Sequence, residues 1–174
     1  VVKRRKVSKN TKANAAKIGF IKWDEISDFV SNEVWESQRT KQLQTSDILI
    51  QCVAHSASYI GDKITIICNL PDDEKALALN KFLIVRPEQE RILPEYLVLF
   101  LASPYGRLQM ARFNRGMTAQ IYEQDIKDFI IYVPPLDNQI AVQRRFVKLV
   151  SEIHNLEEKY STILEELDEF DLPE

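Results

Sequence analysis

The side chains best suited to chemistry lie in a short polar stretch that follows a helical segment. Arg112, Arg115, Thr118 and Gln120 lie in this stretch, and Arg107 precedes it in the helical segment. Arginine binds phosphates and guanine edges, glutamine pairs with adenine, and threonine contacts a phosphate or a thymine methyl group. These residue types therefore indicate a surface that binds nucleic acid, although a plain connection with solvated arginines would have the same composition.

Weaker candidates of the same kind occur elsewhere in the chain. They are His55, Ser56 and Ser58 in a loop of small residues, and Lys22, Arg39 and Lys41 as separate cations. The loop could insert into a groove or simply form a turn. Each of the cations could contact a phosphate, and each is equally compatible with a solvated surface position.

Residues for catalysis form no recognisable pattern. The four glycines make no phosphate-binding motif, and His55 and His154 lack the neighbours of a metal site. The acids of "PDDEK" at 71–75 are consecutive, whereas a metal-dependent nuclease holds its acids on neighbouring strands. Cys52 and Cys68 lie in apolar runs without CxxC spacing, which is typical of buried thiols in a reducing cytoplasm. We therefore expect a non-catalytic protein with no metal and no cofactor.

Charge is distributed unevenly along the chain, whose formal net charge is −3. Residues 152–174 carry nine acids and one base, whereas residues 1–151 carry 22 bases and 17 acids. A basic body joined to an acidic end suits a polyanion partner on one surface and a protein partner on the other. The longest apolar run, "YLVLFLA" at 96–102, is too short to span a bilayer, which takes roughly 20 residues.

The pattern of apolar residues predicts an α+β fold, with a small β-sheet body, a central helical pair and a long C-terminal helix of coiled-coil type. Strands are predicted at 18–23, 45–53, 62–70, 76–87 and 126–133, and a short helix or irregular segment near 27–37. Pro94 begins the first helix of the pair, and Ser103-Pro104 has the form of an N-cap followed by a first-turn proline. Asp137 is expected to cap the long helix near Asn138.

The long helix shows a heptad repeat over more than three heptads. Its a and d positions are Phe146, Leu149, Ile153, Leu156, Tyr160, Ile163, Leu167 and Phe170. A helix of roughly 30 residues is about 45 Å long, too long for this body to cover, so we expect the seam to pair with another helix rather than serve only as core. A parallel homodimer would place Glu152 against Glu157, so an antiparallel pairing or a different partner helix is favoured.

Three regions follow from these patterns. Residues 1–17 are basic and poor in apolar side chains, which predicts a flexible arm or linker. Residues 18–136 form the predicted body, and residues 137–174 form the long helix with its acidic end.

Three stretches together resemble the target recognition domains of type I restriction–modification specificity subunits. "LQTSDILIQCVAHSASYIG" is similar to their strand and loop around "DIL", and "ALNKFLIVRPEQERILPEYLVLFLASPYGRLQM" to their strand and helical region. "GMTAQIYEQDIKDFIIYVPPLDNQIAVQRRF" is similar to the segment that leads into their long helix. The likeness covers roughly residues 18–170. It departs from the family pattern at Ser46, where glycine usually precedes "DIL".

The resemblance implies a non-catalytic reader of double-stranded DNA that works in the cytoplasm. Such subunits carry two recognition domains joined by antiparallel helices, and each domain reads half of a bipartite site. A methyltransferase subunit, or a fused methylase domain, would supply the adenine methylation, and a restriction and translocase subunit would join for cleavage. This chain, with one body and one helix, resembles half of such a subunit, whose helix would pair with a second recognition domain or a second copy.

Two hypotheses about function remain from the sequence. In the first, the chain reads duplex DNA and directs an adenine methyltransferase. In the second, it is a structural interaction protein that acts through its acidic coiled coil and does not bind DNA. Selection of a consensus site from random duplexes would separate the two.

Overall fold

The computed structural model describes residues 7–8, 18–21, 23, 29–54, 59–68, 70, 75–78, 80–113 and 119–168 of the chain. The strands are β1 (Val7–Ser8), β2 (Ile18–Phe20), β3 (Ile48–Gln51), β4 (Val53–Ala54), β5 (Ile64–Ile66), β6 (Lys75–Ala76), β7 (Phe82–Val85) and β8 (Ala119–Gln120). The helices are α1 (Asn32–Ser37), α2 (Pro94–Ala102), α3 (Pro104–Ala111), α4 (Glu123–Ile126) and α5 (Leu136–Asp168), with a 3-10 turn at Arg39–Lys41. These elements confirm the predicted α+β class.

Four strands form the main sheet in the order β2-β5-β3-β7. β2 runs parallel to β5, and the other neighbours are antiparallel. Ile48, Leu49 and Ile50 of the inner strand β3 are fully buried. Burial on both faces explains why this run is continuously apolar rather than alternating with polar residues.

The core has one layer on each face of the sheet. On one face, Ile48 and Ile50 pack with Leu97 of α2. On the other face, Leu49 packs with Phe82 and with residues of the 3-10 and β6 region. The sheet therefore separates a helical layer from a layer of loops and short strands.

The predicted helical pair is present and begins where its local signals indicated. Pro94 lies in the first turn of α2 and Pro104 in the first turn of α3. Backbone N–H groups in a first turn have no intrahelical acceptor, so proline costs no hydrogen bond there. The Ser103 hydroxyl accepts a hydrogen bond from the Gly106 N–H at 3.4 Å and donates one to the Phe100 carbonyl at 2.5 Å.

The predicted strand at 126–133 is wrong. Helix α4 ends at Ile126, and the chain after it lies outside regular secondary structure. Side chains of the helical pair bind this backbone instead: the Gln109 amide both donates to and accepts from Ile130, and the Tyr96 hydroxyl donates to the Tyr132 carbonyl. Phe129 packs inward and Ile130 is 80% exposed, so neighbouring apolar side chains do alternate in burial. The described hydrogen-bond partners of this backbone are side chains rather than another strand.

Three boundaries also differ from the predictions. The single strand expected at 76–87 is two strands, β6 and β7. Helix α5 begins at Leu136, so Asp137 lies inside its first turn instead of capping it. Within the predicted arm at 1–17, Val7–Ser8 pairs in parallel with β6.

Helix α5 is joined to the body only along its first half. Phe146 is buried in the core of the helical layer, and Val150 packs against that core. From residue 151 to residue 167 every side chain is exposed. With 33 residues the helix is about 50 Å long, so its distal half projects from the body as the heptad repeat predicted. In the described part of the chain, no helix has both the length and the apolarity needed to cross a membrane.

Candidate nucleic-acid interface

The two polar segments predicted from the sequence share one anchoring ladder. β4 pairs with β8 in antiparallel register, with Ala54 opposite Ala119 and Val53 opposite Gln120. The Ile121 N–H donates to the Cys52 carbonyl at 2.9 Å, which extends this ladder toward the sheet. Segment 55–58 leaves from Ala54 and segment 114–118 arrives at Ala119. The two segments are therefore attached side by side.

Described residues beyond the other end of each segment also lie close together. Segment 55–58 is followed by Tyr59, Ile60 and Gly61, and segment 114–118 follows α3. Gly61 has φ of +65°, donates its N–H to the Gln51 carbonyl at 3.0 Å, and lies so close to α3 that a Cβ there would be 2.1 Å from the Met110 sulfur. At the end of α3, Phe113 stacks on Phe129 with ring centroids 5.9 Å apart.

We call one end of the main sheet the ladder edge. At this end β3 ends, β5 and β7 begin, and the β4–β8 ladder extends from the sheet. Six of the candidate residues lie outside the described residues: His55, Ser56, Ser58, Arg115, Thr118 and Lys22. The first five belong to the two segments whose ends meet at the ladder edge.

Arg107, Arg112 and Gln120 are described, and all three lie at the ladder edge. Gln120 is half-buried in β8, and Arg112 is exposed directly after α3. The Arg107 side chain donates to the Ala102 carbonyl at 3.1 Å and lies 3.8 Å from a carboxylate oxygen of Asp62. Arg107 is thus partly engaged in holding α3, whereas Arg112 presents its charge to solvent.

Lys41 approaches the same edge from the opposite layer. Its carbonyl accepts from the Ala78 N–H at 2.9 Å. Burial raises the pKa of the Cys52 thiol and the positive charge of Lys41 opposes that rise, which places the ammonium within electrostatic reach of the β3–β4 junction. Arg39 is exposed in the same 3-10 turn.

Two further lysines lie at the ladder edge and were not predicted from the sequence. The Gln51 N–H donates to the Lys63 carbonyl and the Cys52 N–H to the Lys81 carbonyl, both at 2.9 Å. Each lysine directly precedes a strand that flanks β3, so antiparallel pairing places both beside the end of β3. Only the pairing register reveals this, because each lysine in isolation resembles an ordinary solvated turn residue.

The ladder edge thus combines clustered cations with an amide side chain on a supported strand. Such a surface can neutralise phosphates and hydrogen-bond base edges. The described residues contain no group of three or more His, Cys, Asp or Glu side chains that could hold a metal ion.

Comparison with known families agrees with this geometry. Residues 1–168 match the model of the type I restriction modification DNA specificity domain. The chain belongs to this family. A comparison with curated proteins found no significant match.

A specificity domain of this kind serves sequence-specific DNA recognition in restriction–modification systems, and the family consists of recognition modules rather than catalytic ones. Ser46 of this specificity domain adopts a φ of +75°, in the left-handed region that glycine favours. Its N–H donates to the Ile67 carbonyl at 2.7 Å, which holds the turn into β3.

The seam residues of α5 divide into two groups in the specificity domain. Phe146 is already buried in the domain's own core. The exposed seam consists of Leu149, Ile153, Leu156, Tyr160, Ile163 and Leu167, each between 48% and 65% exposed. Phe170 lies outside the described residues.

Proposed function

We propose that this specificity domain reads one half of a bipartite duplex DNA site with its ladder edge and directs a partner adenine methyltransferase to that site. The observation that carries the proposal is that described residues on both sides of segments 55–58 and 114–118 lie together, with Ala54 paired to Ala119 and Gly61 against Met110, within a cluster of basic side chains. Anchoring both ends of a segment lowers the entropy lost when that segment binds DNA.

The ladder-edge side chains divide into two roles. Arg112, Lys41 and Lys81 contact phosphates, because they lie around the edge and a point charge is sufficient there. Gln120, with Arg115 and Thr118 from the adjoining segment, reads base edges, because amide and guanidinium groups form paired hydrogen bonds with adenine or guanine. His55, Ser56 and Ser58 contribute from the other segment, and Arg107 supports α3.

A group of exposed apolar side chains lies beside the ladder edge. Tyr105 and Leu108 of α3 are 77% and 67% exposed, and Ile130 and Tyr132 are 80% and 71% exposed. The hydrogen bonds between Gln109 and Ile130 hold the two groups together. Exposed apolar side chains of this kind mark protein partners. We assign them to the methyltransferase, because α3 also carries Arg107 and a protein bound here would lie next to the DNA.

The distal half of α5 pairs with the helix of a second recognition domain or a second copy. In a two-fold antiparallel pair, one register sets Tyr160 against Ile163 and Leu156 against Leu167 of the other copy. That register also sets Lys159 of each helix opposite Glu166 of the other. Parallel pairing would instead set Glu152 against Glu157, which opposes like charges.

The DNA part of the proposal is tested by selection from randomised duplexes, using the chain with its cognate methyltransferase. We expect a consensus half-site and methylation of that site only when the chain is present. Arg112→Ala should weaken binding at all sequences and lower the slope of log affinity against log salt by about one. Gln120→Ala should relax the preference at one base position, by about 1–3 kcal/mol.

Arg91→Ala is the matched control. Arg91 is exposed and lies beyond the end of β7, at the end of the sheet opposite the ladder edge. Equal losses for Arg112→Ala and Arg91→Ala, or failure to select any consensus, would refute the proposal for the ladder edge.

The helix part is tested by exchanging charges. If a second copy binds in the stated register, Lys159→Glu weakens self-association, and adding Glu166→Lys restores it. Sedimentation of the full chain measures both. A Lys159→Glu variant that associates more tightly than the unmodified chain would contradict this register.

A further inference from the structure

Gln139 lies at the base of α5, far from the ladder edge, and is fully buried. Its carbonyl oxygen accepts a hydrogen bond from the Leu93 N–H at 2.8 Å. Its amide nitrogen donates to the Arg91 carbonyl at 3.0 Å and to the Pro134 carbonyl at 2.7 Å. One side chain therefore joins two backbone segments through three hydrogen bonds: the turn that leads into α2 and the chain that enters α5.

Helix α5 is held to the body at two levels. The first is Gln139, and the second is the apolar contact of Phe146, seven residues and about 10 Å further along the helix, together with Val150 one turn beyond it. Hydrogen bonds are directional, whereas apolar burial is not. The apolar contacts alone would hold the helix against the body but would fix its direction less strictly.

We propose that Gln139 is a positioning residue that sets the direction in which α5 leaves the body. This inference rests on the proposed function for its consequence, because the direction of α5 would determine how far apart two paired ladder edges lie. From Phe146 to Leu167 the helix extends about 30 Å, so a turn of about 10° at the base moves its end by roughly 5 Å. That displacement exceeds one base-pair step of about 3.4 Å.

The direction of α5 can be measured without DNA. Spin labels at Tyr105→Cys on α3 and Ser161→Cys on α5, both exposed positions, report the distance between body and helix in the full chain. We expect a single narrow distance distribution for the otherwise unmodified chain. Gln139→Leu, which keeps a similar side-chain size but removes the three hydrogen bonds, should broaden the distribution at least twofold.

The matched control separates direction from general loss of stability. Arg86→Met is predicted to destabilise the chain through its contact with Asp47, which involves no residue of α5, and it should leave the distance distribution unchanged. Measurements are made at a temperature where circular dichroism shows all variants folded. An unchanged distribution in Gln139→Leu, or equal broadening in Arg86→Met, overturns the inference.

A second measurement addresses the consequence for DNA. In the duplex selection, Gln139→Leu should retain the half-site consensus but accept a wider range of spacer lengths between half-sites. A broadened distance distribution with no selected consensus would leave the positioning role standing and refute the proposed function. A normal consensus with an unchanged distance distribution would do the reverse.

Discussion

Replacing Arg86 with methionine should destabilise the specificity domain by about 2–3 kcal/mol of unfolding free energy. The Asp47 carboxylate is 1% exposed and accepts hydrogen bonds from Arg86 at 2.6 and 2.8 Å and from the Gln44 N–H at 2.8 Å. Methionine keeps much of the side-chain bulk but removes both guanidinium bonds, which leaves a buried charge with one described donor.

The magnitude follows from the exposure of the two partners. Removing one partner of a fully buried ion pair typically costs about 3–5 kcal/mol. The Arg86 side chain is 50% exposed, so water partly screens the pair and solvates the vacated side. The remaining Gln44 N–H also continues to stabilise the carboxylate, and both effects reduce the expected loss below that range.

Urea denaturation followed by circular dichroism measures the loss, and the chain offers a matched control. Arg91 forms an ion pair with Glu88 at 3.3 Å, and both side chains are more than 70% exposed. Arg91→Met should therefore change stability by less than about 0.5 kcal/mol. In an Asp47→Asn background, Arg86→Met should cost clearly less than in the unmodified chain. Equal losses at Arg86 and Arg91, or a full loss in the Asp47→Asn background, would refute the reasoning.

Three other substitutions or titrations test local features of the domain. Ser46→Gly should raise the free energy of unfolding by about 0.5–1 kcal/mol, because glycine accepts a φ of +75° without the strain that serine has there; a loss in urea denaturation would contradict this. Gly61→Ala should lower that free energy by about 2–4 kcal/mol, through the positive φ and a Cβ 2.1 Å from the Met110 sulfur. Thermal melting should show a smaller loss for Gly61→Ala in a Met110→Ala background than in the unmodified chain. Burial, reinforced by the Glu95 carboxylate, raises the pKa of Cys68 from 9.0 to about 11, so iodoacetamide at pH 8 should alkylate it about 100-fold more slowly than an ordinary thiol. Because the folded-state pKa exceeds the unfolded one, this thiol's contribution to stability is complete below about pH 9 and is lost as the pH rises toward 11; rapid alkylation at pH 8 would contradict the assignment.

Local chemistry made several features of the fold readable in advance. Ser103-Pro104 marks a helix start because its hydroxyl and ring act on the next turn of the same chain. The seam from Leu149 to Leu167 is visible because heptad spacing places those side chains on one side of a helix, whatever surrounds it. The apolar run at 45–53 likewise indicated a strand, and β3 lies within it.

Interactions between distant parts of the chain decided the rest. The apolar alternation at 126–133 predicted a strand, but Ile126 ends α4 and side chains of α2 and α3 bind the backbone that follows. Gln139 is a polar residue of the kind that usually faces solvent in a helix. It is nevertheless fully buried, because its side chain hydrogen-bonds the Leu93 N–H and the Arg91 and Pro134 carbonyls.

The sequence by itself determined the α+β class and the helical pair, which residues could contact a polyanion, and that a long helix would present an apolar seam. Tertiary structure alone decided that Ala54 and Ala119, which border segments 55–58 and 114–118, pair in one ladder, and that Lys63 and Lys81 lie at the same end of the sheet. The physical reason is the separation along the chain over which each kind of interaction acts. Helix caps and side-chain periodicity act within a few residues, whereas the register between strands far apart in the chain depends on how the whole core packs.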